Sequence, residues 1–419
     1  MYRTSKQDSG ADPVESLHYS MRQVVSLGAS DLHIKVGAPP YVRLHGELTP
    51  LPGTYTFSAD EIEQVVLELC RGRKSSLEEF RECGDTDLAY ALPGVARFRC
   101  NIFRRMGDVA IALRVVSEQV PPLGTLGLPR VVEQFADIPR GLVLVTGATG
   151  SGKTTTVSGI IDLINERYSR HIVTVEDPVE MVHRDKSSVV NQREVGRDVA
   201  SFRQGLRRAL RQDPDVVVIG EMRDEETVRT ALSAAETGHL VLSTLHTIDV
   251  METVYRILDF FPPELERQAR NMLAGTLMGI ISQRLIRTHD GRGRVPAAEV
   301  LIGTARIADA IVHPEKTGYI HDMISEGGFY GMQTFDQSLL QHVVDGRISV
   351  DDGIYHSSTK QNFLLMLEAA GVELDLVTRR RASGDVNAEE LVTYTDDGPA
   401  IPPPPRPYGS IADGDQSVA

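Results

Sequence analysis

The residues Gly147-Ala-Thr-Gly-Ser-Gly-Lys-Thr154 fit the spacing G-x-x-x-x-G-K-[ST] position for position. Gly147, Gly150 and Gly152 let a backbone curl so that successive N–H groups converge on one anion. Lys153 suits β- and γ-phosphates, and the Thr154 hydroxyl is a hard oxygen ligand for Mg²⁺. Ala148, Thr149, Ser151 and the following Thr155 complete the expected phosphate cradle. A plain glycine-rich turn is the alternative, and the flanking sequence decides against it. Leu142–Thr146 is an apolar, partly β-branched run that predicts a buried strand. Beyond the loop, Val157, Ile160, Ile161 and Ile164 recur at i, i+3, i+4, i+7, one buried helix face. Strand, loop and helix together predict a site for a nucleoside triphosphate.

Four further stretches carry acid, base or cationic chemistry. His171-Ile-Val-Thr-Val-Glu-Asp-Pro-Val-Glu180 is a β-rich run ending in Glu176, Asp177 and Glu180. Carboxylates at a strand end beside a phosphate loop suit Mg²⁺ and its waters, and an acidic turn is the bland alternative. Asp215-Val-Val-Val-Ile-Gly-Glu-Met-Arg-Asp224 is apolar up to a glycine and then acidic. There Glu221 is placed to orient or deprotonate a water, a contribution of ~10²–10⁴ in rate. Asp224 precedes a helical pattern and is expected to cap it. In Gly238-His-Leu-Val-Leu-Ser-Thr-Leu-His246 two histidines bracket a strand, and both His239 and His246 are expected near the γ-phosphate. Arg203, Arg207, Arg208 and Arg211 recur at helical spacing, a solvated basic face, with a subunit-interface or phosphate-sensing role as the alternative for Arg208 or Arg211.

These groups need a frame. Residues 13–117 read as a small α/β domain, with helices expected at 14–27 and 59–70 and strands at 31–36, 96–103 and 109–116. Arg97, Arg99 and Arg114 lie in its last two strands, either on a solvated or carboxylate-paired face or as cations offered to a neighbouring subunit. A Pro/Gly-rich joint at 118–127 separates it from a second domain, 128–371. Strands predicted at 142–146, 171–176, 215–220 and 240–244 alternate there with helical patterns, which argues for a parallel sheet covered by helices. Residues 1–12 are polar and expected to be loose. In 372–419 nine acidic residues face four basic ones, and a proline run stands at 402–405, the composition of a disordered tail.

The 419 residues allow two or three domains, and 41% hydrophobic with 24% charged residues is ordinary globular usage. A net charge of −14 favours neither nucleic acid nor an anionic membrane surface. The three cysteines, Cys70, Cys83 and Cys100, form no C-x-x-C pair, so neither a disulfide framework nor a zinc ribbon is indicated. No run of 18 apolar residues occurs, and the polar start lacks a signal-peptide core. A cytoplasmic chain is expected, touching a membrane only through a partner.

The set SDLHIKVGAPP, LGLPRVVEQFADIPRGLVLVTGATGSGKTTT, TVEDPVEMVH, FRQGLRRALRQDPDVVVIGEMRDEET, AAETGHLVLSTLHT and GMQTFDQSLL resembles the hexameric ATPases of the secretion superfamily. Within it, the set is most similar to the type IV pilus retraction ATPases, the PilT/PilU family, over about residues 13–365. The resemblance implies a PAS-like N-terminal domain, a RecA-like P-loop core and a homohexamer binding ATP at subunit boundaries. It implies Lys153 and Thr154 on phosphate and Mg²⁺, and an Asp box of Glu176, Asp177 and Glu180. Glu221 becomes the catalytic glutamate with Glu180 as the other candidate base, and His239 and His246 form a His box. Arg97, Arg99 and Arg114 fall where the family places cations near the nucleotide. The implied activity is ATP-driven pilus retraction through an inner-membrane platform protein, at the inner face of the cytoplasmic membrane. The absent C-x-x-C insertion disfavours an assembly or type II secretion ATPase. Residues 305–313 depart from the retraction pattern toward the PilU side, so an accessory subunit needing a second pilus ATPase is the alternative.

Overall fold

The computed structural model describes residues 12–44, 47–116 and 120–374. The expectations for 1–11, for 117–119 of the joint and for the tail from 375 lie outside the described residues. Residues through Ser358 form one compact unit and those from Thr359 a second. Among its described residues the second unit holds one helix, Lys360–Ala369.

Residues 13–116 build a six-stranded, fully antiparallel sheet. Its strands are β1 (Asp31–Lys35), β2 (Tyr41–Leu44), β3 (Glu47–Pro50), β4 (Asp85–Leu92), β5 (Ala96–Arg105) and β6 (Asp108–Val116), in the order β3-β2-β1-β6-β5-β4. Three helices accompany it, α1 (Pro13–Ser26), α2 (Ala59–Leu69) and α3 (Lys74–Cys83). Asp12 caps α1, and Ser58 with Glu61 forms a capping box on α2, so each start is fixed by a side chain that replaces missing backbone partners. Leu17, Met21 and Val24 of α1 and Ile62, Val65, Val66 and Leu69 of α2 are buried with Leu32, Ile34, Phe98, Ile102 and Leu113 of the sheet. The expected elements of this domain are all present, and β2, β3, β4 and α3 are added to them.

The second sheet has seven strands: β7 (Gly141–Thr146), β8 (His171–Glu176), β9 (Val189–Glu194), β10 (Val216–Ile219), β11 (Leu240–Leu245), β12 (Leu277–Arg287) and β13 (Arg294–Ile302). They run in the order β13-β12-β7-β11-β10-β8-β9. Its first helices are α4 (Lys153–Arg167), α5 (Phe202–Ala209), α6 (Glu225–Glu236), α7 (Val250–Asp259) and α8 (Glu266–Thr276). Five more follow, α9 (Ala305–Val312), α10 (Pro314–Thr317), α11 (Ile320–Glu326), α12 (Phe335–Val344) and α13 (Val350–His356). The four strands read from the sequence appear within one residue of their expected ends. The expectation of a parallel sheet holds from β12 across to β9 and fails at one edge, where β13 pairs antiparallel with β12. The cause is the short connection Thr288–Gly293, too short to cross over, whose Gly291 turns with φ +68°. Helices cover both faces: Val157, Ile160, Ile161 and Ile164 of α4 pack on one side with Val143 and Val145. On the other, α6, α7 and α8 bury Val228, Val254 and Leu273 with Leu142 and Leu144.

Candidate functional site

Every residue of β7 is buried, and the strand delivers the chain at Thr146 to the phosphate loop. Gly147 turns with φ +142°, and a Cβ there would stand 2.4 Å from the Gln283 carbonyl oxygen and 2.5 Å from Ser151 Oγ. No side chain fits. Gly152, with φ +93°, ends the loop and opens α4. Ala148, Thr149 and Gly150 are exposed at the loop's apex, while Thr154 and Thr155 are half-buried in the first helical turn. Lys153 is buried and donates from Nζ to the carbonyls of Gly147, at 2.7 Å, and Ala148, at 3.0 Å. Burial pushes its pKa down from the ordinary lysine value, while Glu221 and Glu180 act to hold the proton on. The ammonium therefore lies in the field of both candidate acids. Ser151 Oγ is buried without a hydrogen-bond partner, an orphaned donor inside the cradle.

Two strands away, β10 ends at Ile219 and Gly220 brings the chain against β8. A Cβ at 220 would come within 3.3 Å of the Val175 carbonyl oxygen. Glu221 follows, its side chain 21% exposed, with Arg223 donating to Oε2 from Nε and Nη2 at 2.8 Å each. His246, just past β11, approaches the other oxygen, with Nε2 3.7 Å from Oε1. Its loop is fixed by a chain of buried hydroxyls. Thr247 meets Thr253 at 2.6 Å, Thr253 reaches Thr146 at 3.4 Å, and Thr146 meets Ser282 at 2.7 Å. The residue preceding the phosphate loop is thereby tied to the residue following His246.

In the Asp box the three carboxylates have different surroundings. Glu176 turns inward: Oε1 accepts from Thr174 Oγ1 at 2.6 Å and Gln192 Nε2 at 2.9 Å. Burial pushes its pKa up from the ordinary carboxylate value, opposed by those hydrogen bonds and one from the Glu180 N–H. Its carboxyl braces the box, so a direct part at a metal is not what this geometry supplies. Asp177 and Glu180 are exposed. Among the described residues no cluster of three or more His, Cys, Asp or Glu side chains forms a metal cage. The donor set still fits Mg²⁺, which keeps several waters and is held by one or two protein oxygens beside substrate phosphates. Thr154 and Asp177 supply such oxygens.

His239 requires a correction. It precedes β11 at the end opposite His246, and its carbonyl accepts from Gly141 N–H, at the start of β7. A six-residue strand separates the two histidines by about 20 Å. The ring of His239 bonds the Ala234 carbonyl at 2.9 Å, so within this chain it does not reach the phosphate loop.

The arginines part company as well. Arg114 donates from Nε to Asp31 Oδ1 at 2.8 Å inside the N-terminal sheet. Burial acts to raise the Asp31 carboxyl, yet Ser30 and Arg114 outweigh it and hold the group below its usual range. Arg99 stands 3.9 Å from Asp87 and 3.8 Å from Glu180. Arg97 pairs with Glu194, the last residue of β9. The carboxylate-paired alternative describes all three within one chain. Arg203 and Arg207 of α5 both pair with Glu226 of α6. Arg99 and Arg223 also line a cleft of about 870 Å³ between α3, β4 and β5 on one side and Asp177 and Arg197 on the other. The phosphate loop lies outside that cleft. Arg223 and Glu194 carried no expected role; a cation two residues from Glu221 was the available signal for the first.

Residues 7–330 match the family described as Type II/IV secretion system protein. The type IV pilus retraction ATPase PilT of Pseudomonas aeruginosa is 41% identical over 352 residues, 84% of this chain and all of that one. The type IV pilus ATPase PilU of the same organism is 35% identical over 383 residues, 91% of this chain and 97% of its own. A crystal structure described as the pilus retraction motor PilT with bound ADP superposes with a TM-score of 0.75 at 42% identity, covering 82% of this chain and 97% of that one.

Proposed function

The chain belongs to the type II/IV secretion system protein family, in its pilus-retraction branch, and from that premise we propose that it is an ATP-hydrolysing motor that withdraws type IV pili. The observation that carries this is the placement of the phosphate-loop Lys153 in the field of Glu221 and Glu180, with His246 beside Glu221. The loop N–H groups and Lys153 bind and orient the β- and γ-phosphates of ATP. Thr154 and Asp177 would hold Mg²⁺, which would neutralise phosphate charge. Glu221 orients the attacking water and accepts its proton. Arg223 fixes that carboxylate in place, and His246 closes the same side.

A homohexamer that acts on an inner-membrane platform protein from the cytoplasmic side completes the reading. Among the described residues no helix is long and apolar enough to cross a membrane. The division at 118–127 into an N-terminal and an ATPase domain is part of the same reading, as is the separate tail 372–419. A second reading, an accessory subunit that works beside another pilus ATPase, is favoured by the 91% of this chain that the PilU relative covers and by the sequence of α9.

Steady-state hydrolysis of Mg-ATP by the full chain, with its mass recorded in the same buffer, tests the first reading. A particle six times the 46.0 kDa chain should turn over ATP. Glu221→Gln should lower kcat by ~10²-fold or more with nucleotide binding retained. An intact hexamer that binds ATP without turning it over would move the assignment to the accessory subunit.

A further inference from the structure

Arg97 does not reach the phosphate loop, and what it does reach has no assigned part in the reaction. Its partner Glu194 is 4% exposed, deeper than a carboxylate goes unless it is paired. Glu194 ends β9 in register with Glu176 of β8. Its Oε2 takes the Arg97 guanidinium and also the backbone N–H of Val179, at 3.2 Å. Val179 is buried between Asp177 and Glu180. The position of Glu194 is itself fixed: its N–H donates to Asp198 Oδ2 at 2.8 Å, and its carbonyl accepts from Asp198 N–H at 2.8 Å. Arg99, on the same face of β5 as Arg97, stands against Glu180. Arg73 and Arg197 face the same pair, and their charges oppose one another while Glu194 offsets them.

We infer that Glu194 is a positioning residue through which Arg97 of the N-terminal domain sets the place of the Asp-box carboxylates. This rests on the ATPase reading and deepens it. The chain of contacts is short: guanidinium on β5, carboxylate on β9, amide of Val179, then Asp177 and Glu180 on either side. Removing Arg97 takes away the guanidinium bonded to a buried carboxylate oxygen that also holds the Val179 N–H, and the carboxylate's relief is to shift, which moves the Val179 amide. Reacting groups displaced by about 1 Å lose up to ~10²-fold in rate without losing substrate affinity. The contact therefore reads out as kcat.

The test is steady-state Mg-ATP hydrolysis by the full chain carrying Arg97→Gln, Arg97→Lys, Glu194→Gln, or Arg97→Gln with Glu194→Gln. Each neutral single variant should lower kcat by roughly 10-fold with KM within about 2-fold. Arg97→Lys should recover most of the loss, and the double variant should be no slower than the worse single, the signature of residues acting as one unit. Wild-type kcat in folded Arg97→Gln overturns the inference. So does a rise in KM alone, which would place Arg97 on the nucleotide, and so do losses that simply multiply. If Glu194→Gln does not fold, Arg97→Gln against Arg97→Lys decides. Absence of turnover in the wild-type chain would instead refute the ATPase reading.

Discussion

A carboxylate, an imidazole and a guanidinium meet past the end of β10, and each is held by a different part of the chain. Glu221 comes from the strand end, His246 from the loop that the buried hydroxyls anchor, and Arg223 from the turn before α6. Another histidine shows what burial does to the same ring. His183, 8% exposed in the loop after the Asp box, has an Nδ1 with no hydrogen-bond partner, and burial pushes its pKa down to about 4. Its unfolded-state value is near the ordinary 6.5, so between these two the unfolded chain binds more protons. Stability should be full above about pH 6.5, fall with pH through that window, and lose about 3 kcal/mol from this group by pH 4. Denaturant midpoints of wild type and His183→Phe across pH 4–7 check this. The variant should show the shallower slope, and equal slopes would remove His183 as the cause.

At the scale of elements, α6 is the brace behind the catalytic strand end. Asp224 caps it twice, accepting from Thr227 N–H at 2.8 Å and Thr227 Oγ1 at 2.9 Å. Asp224→Ala should cost about 1 kcal/mol, a fall of roughly 2–4 °C in melting temperature for a domain of this size. Thermal unfolding checks it, and Asp224→Asn should lose less. This cap was legible in the sequence because a cap and its helix are neighbours in the chain. The phosphate loop and the core strands were legible for the same reason: glycine spacing and apolar runs are local signals. The β12–β13 hairpin was not. Leu277–Ile281 is a continuous apolar run that suits strand or helix equally. Nor was the separation of His239 from His246, since spacing along a strand does not say which end faces the loop. Glu194 stayed hidden because its meaning depends on Arg97, 97 residues earlier.

Across the whole molecule the charges are sorted rather than merely counted. The chain is acidic in sum, at −14, yet arginines 73, 97, 99, 197 and 223 gather where the N-terminal sheet meets the Asp box and its neighbours. Carboxylates answer most of them across that boundary. This arrangement ties the N-terminal sheet to the Asp box by paired charges.

The cleft at that boundary also carries its own chemical handle. Cys83, at the end of α3, lines it and is exposed, whereas Cys70 and Cys100 are buried, and burial pushes both of their thiols above the ordinary value. Only a thiol that can reach solvent as thiolate reacts quickly with a maleimide. The native protein should therefore take up one equivalent of dye, counted by intact mass, and three once unfolded; two rapid equivalents in the native state would contradict this. A fluorophore placed in this way needs no engineered cysteine. It turns the unaltered chain into one whose cleft can be followed optically as nucleotide is added.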